Sequence, residues 1–142
     1  MTTGGSPDKG RITIILHSGA YDRASYALSI ALVALASGQE VHMLLTFEGL
    51  RRFTKEHLGE IGTETPSGII NDIKLGLASG VMQPLESQLA AARKLGLKLY
   101  ACPNAMAALN IALYDLREEV DSIMGLASFL ELARSAAVNW YI

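Results

Sequence analysis

Cysteine is almost absent from this sequence: its 142 residues hold one, Cys102. A lone cysteine closes no disulfide within its own chain, so a reducing cytoplasm is the expected compartment. The 3 histidines, His17, His42 and His57, share no metal-ligand spacing with Cys102, and no metal is expected. Charge of one sign is also lacking. Lys and Arg total 12, Asp and Glu 14, and the net charge is −2. No basic run is present to bind nucleic acid or an anionic membrane surface. The apolar runs are too short to span a bilayer. Met1 to Gly10 lacks the apolar stretch of a secretory signal and reads as a frayed, flexible tail. Glycine-rich phosphate fingerprints are missing, since Gly19 stands alone before the first helix; no nucleotide or other cofactor is expected. There is no internal repeat and no low-complexity segment.

What the sequence does have is apolar bulk. Half the residues are hydrophobic, with a mean hydropathy of +0.27. A chain of this length can bury a core unaided, and residues 11–142 read as one domain. Arg11 to Ser18 is β-branched and apolar, as a strand covered on both faces would be. Asp22 is a plausible N-cap for a helix through Ser37, whose apolar stripe runs from Ala24 to Leu35 and which Gly38 closes. Glu40 to Phe47 reads as a second strand, followed by a short basic helix over Leu50 to Leu58. Residues 59 to 80 admit a lid with a short helix, or a subunit contact. Pro84 to Leu95 is a helix with proline in its first turn. Leu97 to Ala101 is a third strand, and Cys102-Pro103 opens a helix to about Leu109. A short strand at Asp121–Met124, a helix at Ala127–Ala136 and a terminal strand at Val138–Ile142 complete the chain.

Alternating strands and helices imply parallel pairing with right-handed crossovers. The expected fold is a three-layer α/β/α sandwich with about five mostly parallel strands. Ligand sites in such sheets gather at the carboxyl ends of the strands. Three segments fall there: His17 to Asp22, Thr46 to Gly49, and Cys102 to Met106.

Each candidate carries a chemical and a structural reading. Cys102 is placed at a helix N-cap, with Pro103 suited to the first helical position. The first-turn N–H groups of Asn104 and Ala105 would face its sulfur. A helix N-terminus stabilises an anion by roughly 0.3–1 kcal/mol, less than a tenfold gain in thiolate. A hydrogen bond or nearby cation is needed for more. The alternative is an inert cysteine packed as a small hydrophobe. His17, beside Ser18, Gly19 and Tyr21, reads either as a base or cation near the sulfur or as a structural histidine. His42 reads as structural and His57 as solvated. Glu48, next to Gly49, reads as a carboxylate at the site mouth, a helix cap, or a partner of Arg51 or Arg52. Met43, Met82, Met106 and Met124 read as core filler, and Trp140 and Tyr141 as packing or interface residues.

The segments TFEGL (Thr46–Leu50), YACPNAM (Tyr100–Met106), MGLASFLELA (Met124–Ala133) and a last strand ending WYI occur in an order that resembles the DsrE-like family, in particular its branch of small sulfurtransferases. Glu48 stands where that branch commonly has an aromatic residue, and Asn104-Ala105 where it has Met-Ser. The resemblance covers roughly Arg11 to Ile142. It implies a flavodoxin-like fold, homo-oligomeric assembly as a dimer or trimer, and sulfur relay through a persulfide on Cys102. The partner it implies is a small sulfur carrier of the TusA type. A second expectation is a non-catalytic oligomeric module that keeps the fold and has lost the relay. A subunit boundary is expected near Ile69–Met82 or near Trp140-Tyr141-Ile142.

Overall fold

The apolar, β-branched run after Gly10 forms β1 (Arg11–Leu16), which lies next to one edge strand of a five-stranded sheet. The computed structural model describes residues 10–142; the tail expected at residues 1–10 lies outside them, save Gly10. The other strands are β2 (Glu40–Leu45), β3 (Lys98–Ala101), β4 (Ser122–Ile123) and β5 (Val138–Tyr141). Their spatial order is β4-β3-β2-β1-β5, and every pairing is parallel. Six α-helices connect them: α1 (Tyr21–Ala36), α2 (Phe47–Arg52), α3 (Ile70–Ser79), α4 (Leu85–Lys94), α5 (Pro103–Ala108) and α6 (Leu126–Arg134). No helix among the described residues is long and apolar enough to cross a membrane.

The register aligns Ile12 with Val41 and Ile14 with Met43. Side chains alternate across a strand, so these four share one face with Leu16, Leu45, Leu99 and Ala101. All eight are buried. Helices α1 and α4 cover this face, burying Ala24, Ala27, Leu28, Ala31 and Leu35 from one and Leu85, Leu89 and Ala92 from the other. Gln88 ties the two helices. Its amide nitrogen donates to Ser25 O at 3.2 Å and Ser29 Oγ at 3.1 Å, and its oxygen accepts from Ser25 Oγ at 3.1 Å.

The opposite face is more polar. Phe129 of α6 is fully buried and meets the Tyr100 ring edge-on at 6.3 Å. Beneath α6 runs a polar chain. Tyr100 Oη is 2.6 Å from His42 Nδ1, His42 Nε2 contacts Glu40, and Arg11 Nε donates to Glu40 Oε1 at 3.1 Å. His42 is thus a structural residue with both ring nitrogens engaged.

The elements agree with the sequence pattern in kind and order, and differ at their ends. β1 stops at Leu16 and β2 at Leu45, which leaves His17, Ser18, Thr46 and Phe47 beyond the sheet. Helix α2 starts at Phe47, three residues before the expected Leu50, and ends at Arg52. Pro84 is the N-cap of α4, just outside its first turn. The ambiguous stretch holds a short 3₁₀ turn at Ser67–Ile69 and then α3, ended by Gly80 in the left-handed conformation (φ 82°). Ile73 is buried within the chain itself and is not available to a neighbour.

Two carboxylates make stability depend on acid. His42 first, and then Arg11, hold the Glu40 carboxyl below its ordinary value of 4.5. The Arg117 guanidinium, 2.9 Å away, does the same for Glu119. Both groups therefore take up protons more readily in the unfolded chain. Their contribution is complete above about pH 4.5 and is lost as pH falls through the lower folded values. Thermal melts followed by circular dichroism should show a falling midpoint below that pH. The double variant Glu40→Gln/Glu119→Gln should fall less steeply. Parallel acid slopes for the two proteins would contradict this assignment.

Candidate functional site

Because all five strands run parallel, their carboxyl ends share one edge of the sheet. Cys102 follows the last residue of β3. Its N–H donates to Leu45 O at 3.0 Å, which continues the pairing with β2, and its carbonyl accepts from Met106 N–H at 3.0 Å. It is the N-cap of α5, with Pro103 at the first helical position and extended backbone angles (φ −76°, ψ 121°). The side chain makes no capping hydrogen bond and is 8% exposed. Asn104, in the first turn, is exposed.

One strand over, α2 is pressed hard against the end of β1. A Cβ on Gly49 would overlap Leu16 O, so only glycine allows the approach. Gly49 N–H donates to His17 O at 3.0 Å. Phe47, which opens α2, has a φ of 48°, a value few residues with a side chain adopt. Its ring lies 5.3 Å from the His17 ring, and His17 stacks at 5.9 Å on Tyr141. His17 is therefore exposed at the right edge but engaged with two aromatic rings. Its strand is separated from that of Cys102 by β2, about 10 Å at ordinary strand spacing.

The start of α1 differs from its expected form. Asp22 was the expected N-cap; the N-cap is Ala20, and Asp22 sits in the first turn. The free N–H groups there are taken from elsewhere. Glu64 Oε2 accepts from Gly19 N–H at 3.0 Å, Ser18 Oγ from Ala20 N–H at 3.1 Å, and Thr65 Oγ1 from Tyr21 N–H at 2.9 Å. Asp22, already the second residue of α1, accepts none of these bonds. Tyr21, expected to line the site, is buried instead, 1% exposed, with its ring under the Arg52 guanidinium at 5.4 Å.

Arg52 is the functional-looking residue that sequence reasoning missed. It is 5% exposed and bonds backbone carbonyls rather than carboxylates. Nε and Nη2 donate to Gly19 O at 2.8 and 2.6 Å. Nη1 donates to Leu58 O at 2.9 Å and Glu60 O at 2.5 Å, and Nη2 to Ile61 O at 3.1 Å. Burial lowers the affinity of its guanidinium for its proton, and Tyr21, Glu60 and Glu64 oppose that shift. Arg52 fastens the loop at residues 57–61 over the turn before α1. The result is a cleft of about 180 Å³ between Gly19, Glu48, Arg51, His57, Glu60 and Glu64. Glu48 spends its carboxylate on Arg51, Nε to Oε2 3.0 Å. The fold thus joins Gly19 and Glu48 in one cleft. Cys102 and Asn104 lie outside its lining.

Among the described residues, no three His, Cys, Asp or Glu side chains converge as a metal site would require. What the edge offers chemically is a single thiol at a strand-to-helix junction, with α2, the helix that follows β2, packed against α5.

Residues 10–138 match the model of the DsrE/DsrF-like family. The chain is 30% identical over 155 residues to YrkE, an uncharacterised protein of Bacillus subtilis (strain 168), an alignment covering 93% of this chain and 96% of that one. Its fold is similar to that of the ychN protein from E. coli, with a TM-score of 0.64 and 14% identity over 94% of this chain and 99% of the other. It is also similar to MTH1491 from Methanobacterium thermoautotrophicum, with a TM-score of 0.55 and 15% identity over 92% and 98% of the two chains.

Proposed function

Since the chain belongs to the DsrE/DsrF-like family, we propose that it is a sulfur-relay protein that carries sulfane sulfur as a persulfide on Cys102. The observation that supports this most is the position of the only cysteine. Cys102 caps a helix at the carboxyl edge of a parallel sheet, where ligand sites of such folds gather. In the first step the Cys102 thiolate attacks the terminal sulfur of a donor persulfide. A new S–S bond forms, the donor's S–S bond breaks, and the donor leaves as a thiolate. In the second step an acceptor thiolate attacks the outer sulfur of the Cys102 persulfide and regenerates the Cys102 thiolate. The electrons balance within each exchange, so neither a metal nor an organic cofactor is required. The partner thiol would belong to a small sulfur carrier of the TusA type, and the relay would work in the reducing cytoplasm. Asn104 in the first turn of α5, and the first turn of α2 at Phe47–Gly49, would line the approach. The same reading includes assembly as a homo-oligomer.

A second reading is favoured by one feature: Cys102 is buried and makes no capping hydrogen bond. In that reading the chain is a non-catalytic oligomeric module and the cysteine is packing. Alkylation separates the two. Under the relay reading, iodoacetamide should modify native Cys102 at pH 7 at least as fast as it modifies glutathione. A rate tenfold or more below glutathione, rising to it only on denaturation, favours the module.

A further inference from the structure

We infer that the open edge of β5 is a self-association surface, where two copies of this chain pair antiparallel about a two-fold axis normal to the sheet. The inference builds on the assembly included in the proposed function and names its surface and symmetry. Strand β5 ends the sheet, and among the described residues no strand pairs with its outer side. Ala137 N–H bonds Arg11 O on the inner side. Alternation then turns the N–H and C=O of Val138 and Trp140 outward. Exposed edges are commonly blunted by lysine, proline or inward-pointing charge. The sequence of β5, VNWY, has none of these.

An apolar groove continues the edge onto α1. Val138 and Trp140 line it with Tyr26, Ile30 and Val33. Trp140, Tyr26 and Tyr141 are 44%, 68% and 70% exposed. At roughly 150–250 Å² per fully buried aromatic, these three rings offer about 350 Å². With Val33, Val138 and the strand backbone, each copy contributes about 500 Å², so a symmetric pair removes about 1,000 Å², the lower bound for a specific interface. Charge permits the pairing. No residue of β5 is charged, and the charged side chains of the groove, Asp22 and Arg23, are of opposite sign and lie at one end. A two-fold axis sends that end toward the partner's opposite end, so like charges do not meet. Antiparallel pairing would set Val138 against the partner's Trp140, with Asn139 on the axis. The edge strand lies three strands from β3, about 14 Å, so the pairing does not cover the surroundings of Cys102.

Trp140 is the only tryptophan, so its fluorescence reports on this surface alone. The test is sedimentation of the full chain from about 5 to about 200 µM, where mass action should populate the pair, with Trp140 emission read in parallel. The expected result is a passage from 15.2 kDa to twice that mass, with emission shifting to the blue over the same range. Val138→Lys and Tyr26→Glu, both at exposed positions, should each weaken the pair at least tenfold and leave Cys102 alkylation unchanged. A monomer throughout the range would overturn this inference together with the assembly reading. A trimer, or an oligomer indifferent to both substitutions, would overturn the β5 surface and leave assembly standing.

Discussion

Arg52→Ala should destabilise the protein by about 3 kcal/mol, the cost expected when several buried carbonyls lose their donor. The native guanidinium serves Gly19, Leu58, Glu60 and Ile61 together. No other donor among the described residues is positioned to replace it at Gly19 O, which takes both Nε and Nη2. Alanine also removes the cation from above the Tyr21 ring. For a chain of this size the loss corresponds to a melting midpoint lower by roughly 10 °C. Arg52→Lys should fall between the two, since an ammonium keeps the charge but cannot reproduce the planar fork. Urea titration followed by circular dichroism measures all three proteins. An Arg52→Ala variant within about 1 kcal/mol of the native chain would show that water satisfies these carbonyls, and that the guanidinium is not the fastener of this loop.

Arg52 also marks where sequence reasoning runs out. The sheet was readable because its signals are local. RITIIL and EVHMLL are short, largely apolar runs, and glycine punctuates their ends. The junction at Cys102-Pro103 was readable for the same reason, because proline at a first helical position is a local preference. The start of α1 was not. Its N–H groups are met by Glu64 and Thr65, more than 40 residues away along the chain. Asp22 looked like the cap because it was the nearest side chain able to act as one. Tyr21 was expected at the site for the same kind of reason, and its ring lies instead in the core under Arg52, the last residue of α2. Residues 59–80 gave no clear periodicity: the start of the stretch is held by the Arg52 guanidinium through Glu60 O and Ile61 O, and α3 buries Ile73 alone. The left-handed Phe47 also had no signal, because nothing in its sequence favours a positive φ.

The position of Cys102 makes the remaining prediction all-or-none. Relay chemistry needs one thiol, and the chain has no other cysteine to substitute for it. The measurement is intact-protein mass spectrometry after incubation with a low-molecular-weight persulfide. The native chain should gain one sulfur, about 32 Da, lose it again on treatment with a reducing thiol, and pass it to an added carrier thiol. Cys102→Ala should gain nothing, and since Cys102 is a small buried residue the variant should remain folded. A native chain that stays unmodified, under conditions that load a glutathione control, would contradict the relay and leave Cys102 as packing.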